Sequence, residues 1–195
     1  LGEANRPSRA AVTPAELDAI VRYLDVERSA RYKREATQTF CNVYACDYCY
    51  LAGVYLPRVW WNAQALADIA KGRAVAAKYG VTVSELNANA LYEWLRDFGT
   101  SFGWTQAASL DDLQSAANAG QISVICARRK PLNLSGHIAV VVPESAPPAV
   151  AETTEAGIRV PLQSQAGRIN YCFSCVPGRW WESPKFGACG FWIHA

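Results

Sequence analysis

Methionine is absent from this chain of 195 residues, histidine occurs twice, and charged residues make up only 18% of it. Each shortage excludes something. The net charge is +2, and no basic block outruns Arg128-Arg129-Lys130, so charge does not point to a nucleic-acid partner. No apolar run reaches the about 20 residues needed to cross a bilayer, so no membrane span is expected. Half the residues are apolar (51%), which excludes disorder over most of the chain. The length suits one domain with a real core and hardly two. The missing methionine and the opening Leu1 create the expectation of a processed or trimmed chain, and export without a cleaved leader fits equally well.

Cysteine is the exception, with seven residues at 41, 46, 49, 126, 172, 175 and 189. If one is set aside as a nucleophile, six remain to form three bridges, which suits a secreted or periplasmic protein. The rival reading is zinc, because Cys46-x-x-Cys49 and Cys172-x-x-Cys175 have four-thiolate spacing. Disulfides are favoured, since Cys46 and Cys49 fall inside a helical stretch rather than on a knuckle loop.

Residues 1–12 are polar and aperiodic and are expected to form a flexible arm, with residues 13–195 as a single domain. Thr13-Pro14-Ala15-Glu16 is a capping box with Pro at the first helical position, and Leu17, Ile20, Val21 and Leu24 repeat on one helical face. That helix is read as able to continue through Glu27–Arg34. A short helix is expected around Ala65–Ala70, and a helix from Val83 carries a stripe of Leu91, Trp94, Leu95 and Phe98. Ser109 caps another, closed by Gly120. The character then changes: Ile122–Ala127 and His137–Val142 read as strands joined in a hairpin, Val160–Ala166 as a third strand and Phe191–His194 as a last one. Pro143–Ala156 reads as a surface loop. Helices first and an antiparallel sheet afterwards predict an α+β domain.

Two residues in this order carry chemistry. Thr39 is a candidate N-cap, which would put Cys41 in the first turn of a helix, where free N–H groups and the helix dipole favour a thiolate. A cysteine nucleophile also needs a base. With His194 beside the C-terminus read as a surface residue, that base is His137, which follows Ser135-Gly136 and opens a buried strand. Trp60 and Trp61, with Arg58 beside them, are candidates for substrate binding: the rings for stacking, the guanidinium for a carboxylate.

Thr39-Phe40-Cys41-Asn42 followed much later by Gly136-His137-Ile138-Ala139-Val140-Val141 resembles the NlpC-type and CHAP-type papain-like amidases of bacterial cell-wall peptidoglycan. The resemblance covers roughly 30 residues. It implies a papain-like fold with the nucleophile helix packed on the sheet, and a cysteine hydrolase that needs no cofactor or metal. A third polar residue on the strand after the histidine is also implied: Gln165 is preferred, with Gln163 and Asn170 as alternatives. The Cys41 N–H, with Gln38 or Tyr44, would face the oxyanion. Peptidoglycan is the implied partner of a monomeric secreted or periplasmic enzyme. Were it an antibacterial effector, a cognate inhibitor (immunity) protein would be a second partner. The competing reading is a non-catalytic, disulfide-rich wall- or glycan-binding module working through Trp60-Trp61 and Trp180-Trp181.

Overall fold

The computed structural model describes residues 13–145, 149–176 and 178–195; the expected arm over residues 1–12 lies outside them. In chain order the elements are α1 (Pro14–Leu24), α2 (Cys41–Leu51), β1 (Val59–Trp61), α3 (Ala63–Ala70), β2 (Val83–Glu85), α4 (Ala88–Asp97), β3 (Trp104–Gln106) and α5 (Leu110–Asn118). After them come β4 (Ile122–Arg129), β5 (His137–Val141), β6 (Glu152–Thr154), β7 (Gly157–Val160), β8 (Gln163–Ala166), β9 (Asn170–Ser174) and β10 (Phe186–His194). The architecture is α+β.

Six strands form the main sheet in the order β3-β10-β4-β5-β8-β9, with every neighbouring pair antiparallel. Strand β4 alternates between two cores. Val124 and Cys126 belong to the core shared with α1, α2 and α4 on one face, while Ile125 and Ala127 belong to the core of Leu113 and Ala117 of α5 and Trp181 on the other. Burial on both faces is why β4 and β5 read as continuous apolar runs.

Helix α1 forms as its capping box dictates, with Glu16 N–H donating to Thr13 Oγ1 and Thr13 N–H to Glu16 Oε2. Its stripe of Leu17, Ile20, Val21 and Leu24 is buried, each side chain contributing about 1.5–3 kcal/mol. It does not continue through Glu27–Arg34: Asp25 takes a left-handed conformation (φ 42°) and stops it. Helix α2 is buried on nearly every side, from Val43 to Leu51, so it shows no amphipathic period.

The helix expected from Val83 starts later, at Ala88, capped by Asn87; Val83–Glu85 is instead β2, paired with β1. The third strand is split into β7 and β8, and β6 and β7 make a hairpin where a plain loop was expected. Strand β10 runs from Phe186, much longer than Phe191–His194, and lies between β3 and β4.

The expected disulfides do not form: all seven cysteines are free thiols. Cys46 and Cys49 lie along the inner side of one helix, and Cys126 sits in the core with its thiol donating to Ala88 O. Cys175 donates to Val150 O. The rival zinc site is not assembled either, since no group of three or more His, Cys, Asp or Glu side chains suited to a metal occurs among the described residues. The bridges were the basis for an oxidising compartment, and they no longer supply one. Denaturing the protein without reductant is expected to expose seven titratable thiols; a count of one would restore the three bridges.

Candidate active site

Helix α2 begins at Cys41 itself. Thr39 does not cap it: the cap position falls on Phe40, which makes no side-chain hydrogen bond. The first-turn N–H groups are therefore left for a ligand or for the sulfur. Cys41 is only 2% exposed, and its neighbours Phe40, Asn42 and Val43 line a cleft of about 1560 Å³.

The His137 imidazole lies close enough to the Cys41 thiol for charge and side-chain hydrogen bonding to shift the protonation of both groups. Strand β5 delivers it there. Its hairpin with β4 pairs His137 with Ala127 at the open end of the sheet. The approach depends on Gly136, where a β-carbon would collide with the Ala127 carbonyl and come within 2.6 Å of Asn89 Oδ1. Asn89, from α4, ties down this loop by donating to the carbonyls of Leu132 and Leu134 while accepting from Arg129 N–H. Gly136→Ala is expected to lower stability by about 1–3 kcal/mol, because one obstacle is backbone and cannot rotate away. A melting temperature within a degree of the parent would contradict that account.

Gln165 comes to His137 through strand register. Val141 faces Gln163 and Val140 faces Ser164, so β8 points Gln165 to the same side of the sheet as His137. The Gln165 Oε1 accepts from His137 Nε2 at 2.5 Å, and its own Nε2 donates to Ile169 O. That second bond fixes which end of the amide faces the ring. His137 therefore carries its hydrogen on Nε2, leaving Nδ1 for the sulfur. Gly167, continuing the same register, faces His137; a β-carbon there would press on Gln165 Nε2 (2.8 Å) and His137 Cε1 (3.2 Å).

The alternatives to Gln165 have other partners. Gln163 is fully buried, accepts from Trp180 Nε1 at 2.8 Å and donates to Pro161 O. Asn170 donates to the carbonyls of Val26 and Tyr32, tying β9 to the segment between α1 and α2. Tyr44 points away from the cleft, its hydroxyl bonded to Ser164 Oγ, whereas Gln38 lines it.

Sequence reasoning missed Trp180 as part of this centre. Its ring stands edge-on to His137, centroids 4.6 Å apart, and is held by Gln163. It packs against the histidine ring and narrows the access of water to it. No local pattern announces it, because it arrives on a single 3-10 turn (Trp180–Glu182). The alternation of Gln163 and Gln165 on one strand face was the available signal for both amides.

Trp60 and Trp61 lie outside the cleft lining, which corrects their reading as its wall. Trp60 packs instead against Trp94, Phe98 and Phe102, as an apolar ring with nearby aromatics will. Arg58 does line the cleft, paired with Glu85. His194 bonds to Phe102 O at the far end of β10.

The electrostatics of the pair are reciprocal. Burial pushes the Cys41 thiol up, but the charge and hydrogen bond of His137 and the N–H groups of Ile138 and Asn42 outweigh it, so the thiol lies below its ordinary range. Burial pushes His137 down, and the Cys41 charge, its hydrogen bond and that of Gln165 outweigh it against opposing Lys185, so the imidazole lies above its usual range. The other cysteines go the opposite way: burial raises Cys46, Cys49, Cys126, Cys172, Cys175 and Cys189. One thiol of seven is thus shifted toward the thiolate, beside an imidazole shifted toward its charged form. No family model, curated protein or solved structure matches this chain.

Proposed function

We propose that the protein is a papain-like cysteine amidase that hydrolyses peptide or amide bonds of bacterial peptidoglycan, working in the periplasm or outside the cell. The observation that carries the hydrolase reading is the Cys41–His137–Gln165 line, with the sulfur in the first turn of α2 and the imidazole held from behind through Nε2. Peptidoglycan as the substrate rests on the resemblance of the two motifs and their order. A cleft of about 1560 Å³ also exceeds the ~300–1,000 Å³ of sites for small molecules and suits an extended peptide stem.

In the first half-reaction the Cys41 thiolate adds to the scissile carbonyl carbon, and the carbonyl electron pair moves onto oxygen. The Cys41 backbone N–H, at the start of α2, would serve that oxyanion, with Gln38 of the cleft lining as the candidate side-chain donor. Collapse breaks the C–N bond, and His137 Nδ1 gives its proton to the leaving amine, leaving a thioester. In the second half-reaction Nδ1 takes a proton from water, the resulting hydroxide adds to the thioester, and the thiolate leaves. A carboxylate product is released and the ion pair is restored.

Of the four tryptophans the binding-module alternative would use, Trp60 and Trp181 pack against other aromatics and Trp180 is engaged with His137 and Gln163, while Trp61 is half-buried. Incubation with defined peptidoglycan fragments, followed by mass analysis, tests the proposal. One new amine and one new carboxylate at a single amide bond are expected. Fragments left intact under conditions where Cys41 is reactive would refute peptidoglycan as the substrate.

A further inference from the structure

The formal excess of positive charge over the whole chain is +2, yet the cleft alone is lined by Arg34, Arg58, Arg129, Arg168 and Lys185 against a single acid, Glu85. Glu85 is taken up by Arg58 at 3.2 Å. The other surface ion pairs, such as Arg22–Asp18, Arg73–Asp68 and Arg159–Glu152, lie outside the cleft. Within it, Arg34, Arg168 and Lys185 are exposed. Arg129 adds an independent sign: its Nε is buried and meets no hydrogen-bond acceptor. A buried guanidinium nitrogen without an acceptor is costly.

The cations come from different parts of the chain. Arg34 precedes α2, Arg129 ends β4, Arg168 follows β8, and Lys185 leads into β10. Four separate segments therefore bring one sign of charge to the walls around one reactive pair. Lys185 is close enough to oppose the charging of His137. An anion bound there would offset that repulsion. A concave surface lined by one charge concentrates counter-ions by about 10-fold or more.

We propose that this cleft selects substrates carrying free carboxylates near the scissile amide, with Arg129, Arg168 and Lys185 as the groups that recognise them. The inference rests on the amidase reading and narrows its substrate class to acidic peptide stems. Arginine suits the role because its planar fork meets a carboxylate with two parallel hydrogen bonds, and lysine adds a mobile point charge.

Two measurements separate this inference from the nucleophile reading. The first compares alkylation of Cys41 by iodoacetate and by iodoacetamide, reagents of similar size that differ in charge. The iodoacetate-to-iodoacetamide rate ratio should exceed that of a free thiol such as glutathione by about 10-fold at low salt and fall as salt is added. In Arg168→Gln/Lys185→Gln, two changes at exposed positions, the ratio should drop toward the free-thiol value. A parent ratio equal to that of glutathione would overturn charge selection while leaving the nucleophile intact.

The second measurement does not depend on the sulfur. Calorimetry on Cys41→Ala compares N-succinyl-tetraalanine, which bears two carboxylates, with N-acetyl-tetraalanine amide, which bears none. About 10-fold tighter binding of the succinyl peptide, lost in the Arg168→Gln/Lys185→Gln background, is expected. Equal binding, or none by either peptide, would overturn the proposal.

Discussion

Replacing Cys41 with alanine is expected to lower the hydrolysis rate by at least about 10⁴-fold, because the variant retains the cleft and the imidazole but has no atom to form the thioester. The fold should survive. Cys41 is buried at the start of α2, and alanine keeps its backbone in the helix, losing only the sulfur's contacts with His137 and the N–H groups of Ile138 and Asn42. Circular dichroism and melting temperature close to the parent would show that the loss is chemical. Activity within 10-fold of the parent would mean that another group attacks the substrate.

The second large effect concerns Gln165. Its Oε1 holds the Nε2–H of His137, so the amide both aims the ring and supports its charged form. Gln165→Ala is expected to reduce kcat by about 10²-fold, the scale of a misplaced catalytic group. The direction of the pH shift separates this role from a merely structural one. The active state is thiolate with imidazolium, so the acid limb of the rate profile reports the lowered thiol and the alkaline limb the raised imidazole. Without the amide oxygen, His137 loses a group that raises it, so the alkaline limb should move to lower pH. In Gln165→Glu a carboxylate faces the ring, and the limb should move up. An alkaline limb unmoved by both changes would leave Gln165 as a packing residue only.

How much of this could be read from the chain depends on whether the cause was local. The capping box at Thr13, the Ser109 cap and the apolar stripe of α4 lie within a few residues of each other, and those helices form where their signals stand. Strands β4 and β5 were legible because two faces of core demand uninterrupted apolar residues. Val83–Glu85 was misread as helix because three residues become a strand only through pairing with Val59–Trp61, a partner remote in sequence. Strand β10 was read only at its end, since Gly187, Cys189 and Gly190 break the apolar pattern. At Gly190 a β-carbon would meet the Trp192 ring, so the glycine serves the packing of the strand it interrupts.

The candidate site divides the same way. Cys41 and His137 were visible because each opens an element with its own local signature. Gln165 could be placed on a strand, but its choice over Gln163 and Asn170 depended on register and on the carbonyls each amide meets. The places of Trp60 and Trp180 were set by tertiary contacts: Phe98 and Phe102 collect the first into an aromatic cluster, and Gln163 holds the second beside the histidine. The cysteines misled because even spacing and an odd count describe a bridge framework and a set of buried thiols equally well.

The pairing of sulfur and imidazole is tested most directly by alkylation with iodoacetamide across pH, with the modified cysteine identified by peptide mass analysis. At about pH 6, where an ordinary thiol of pKa about 8.5 is almost wholly protonated, Cys41 alone should be modified. In His137→Ala the same modification should require pH above about 8. If Cys41 in the parent protein reacts no faster at about pH 6 than Cys172, Cys175 or Cys189, the ion pair at the base of the cleft does not exist.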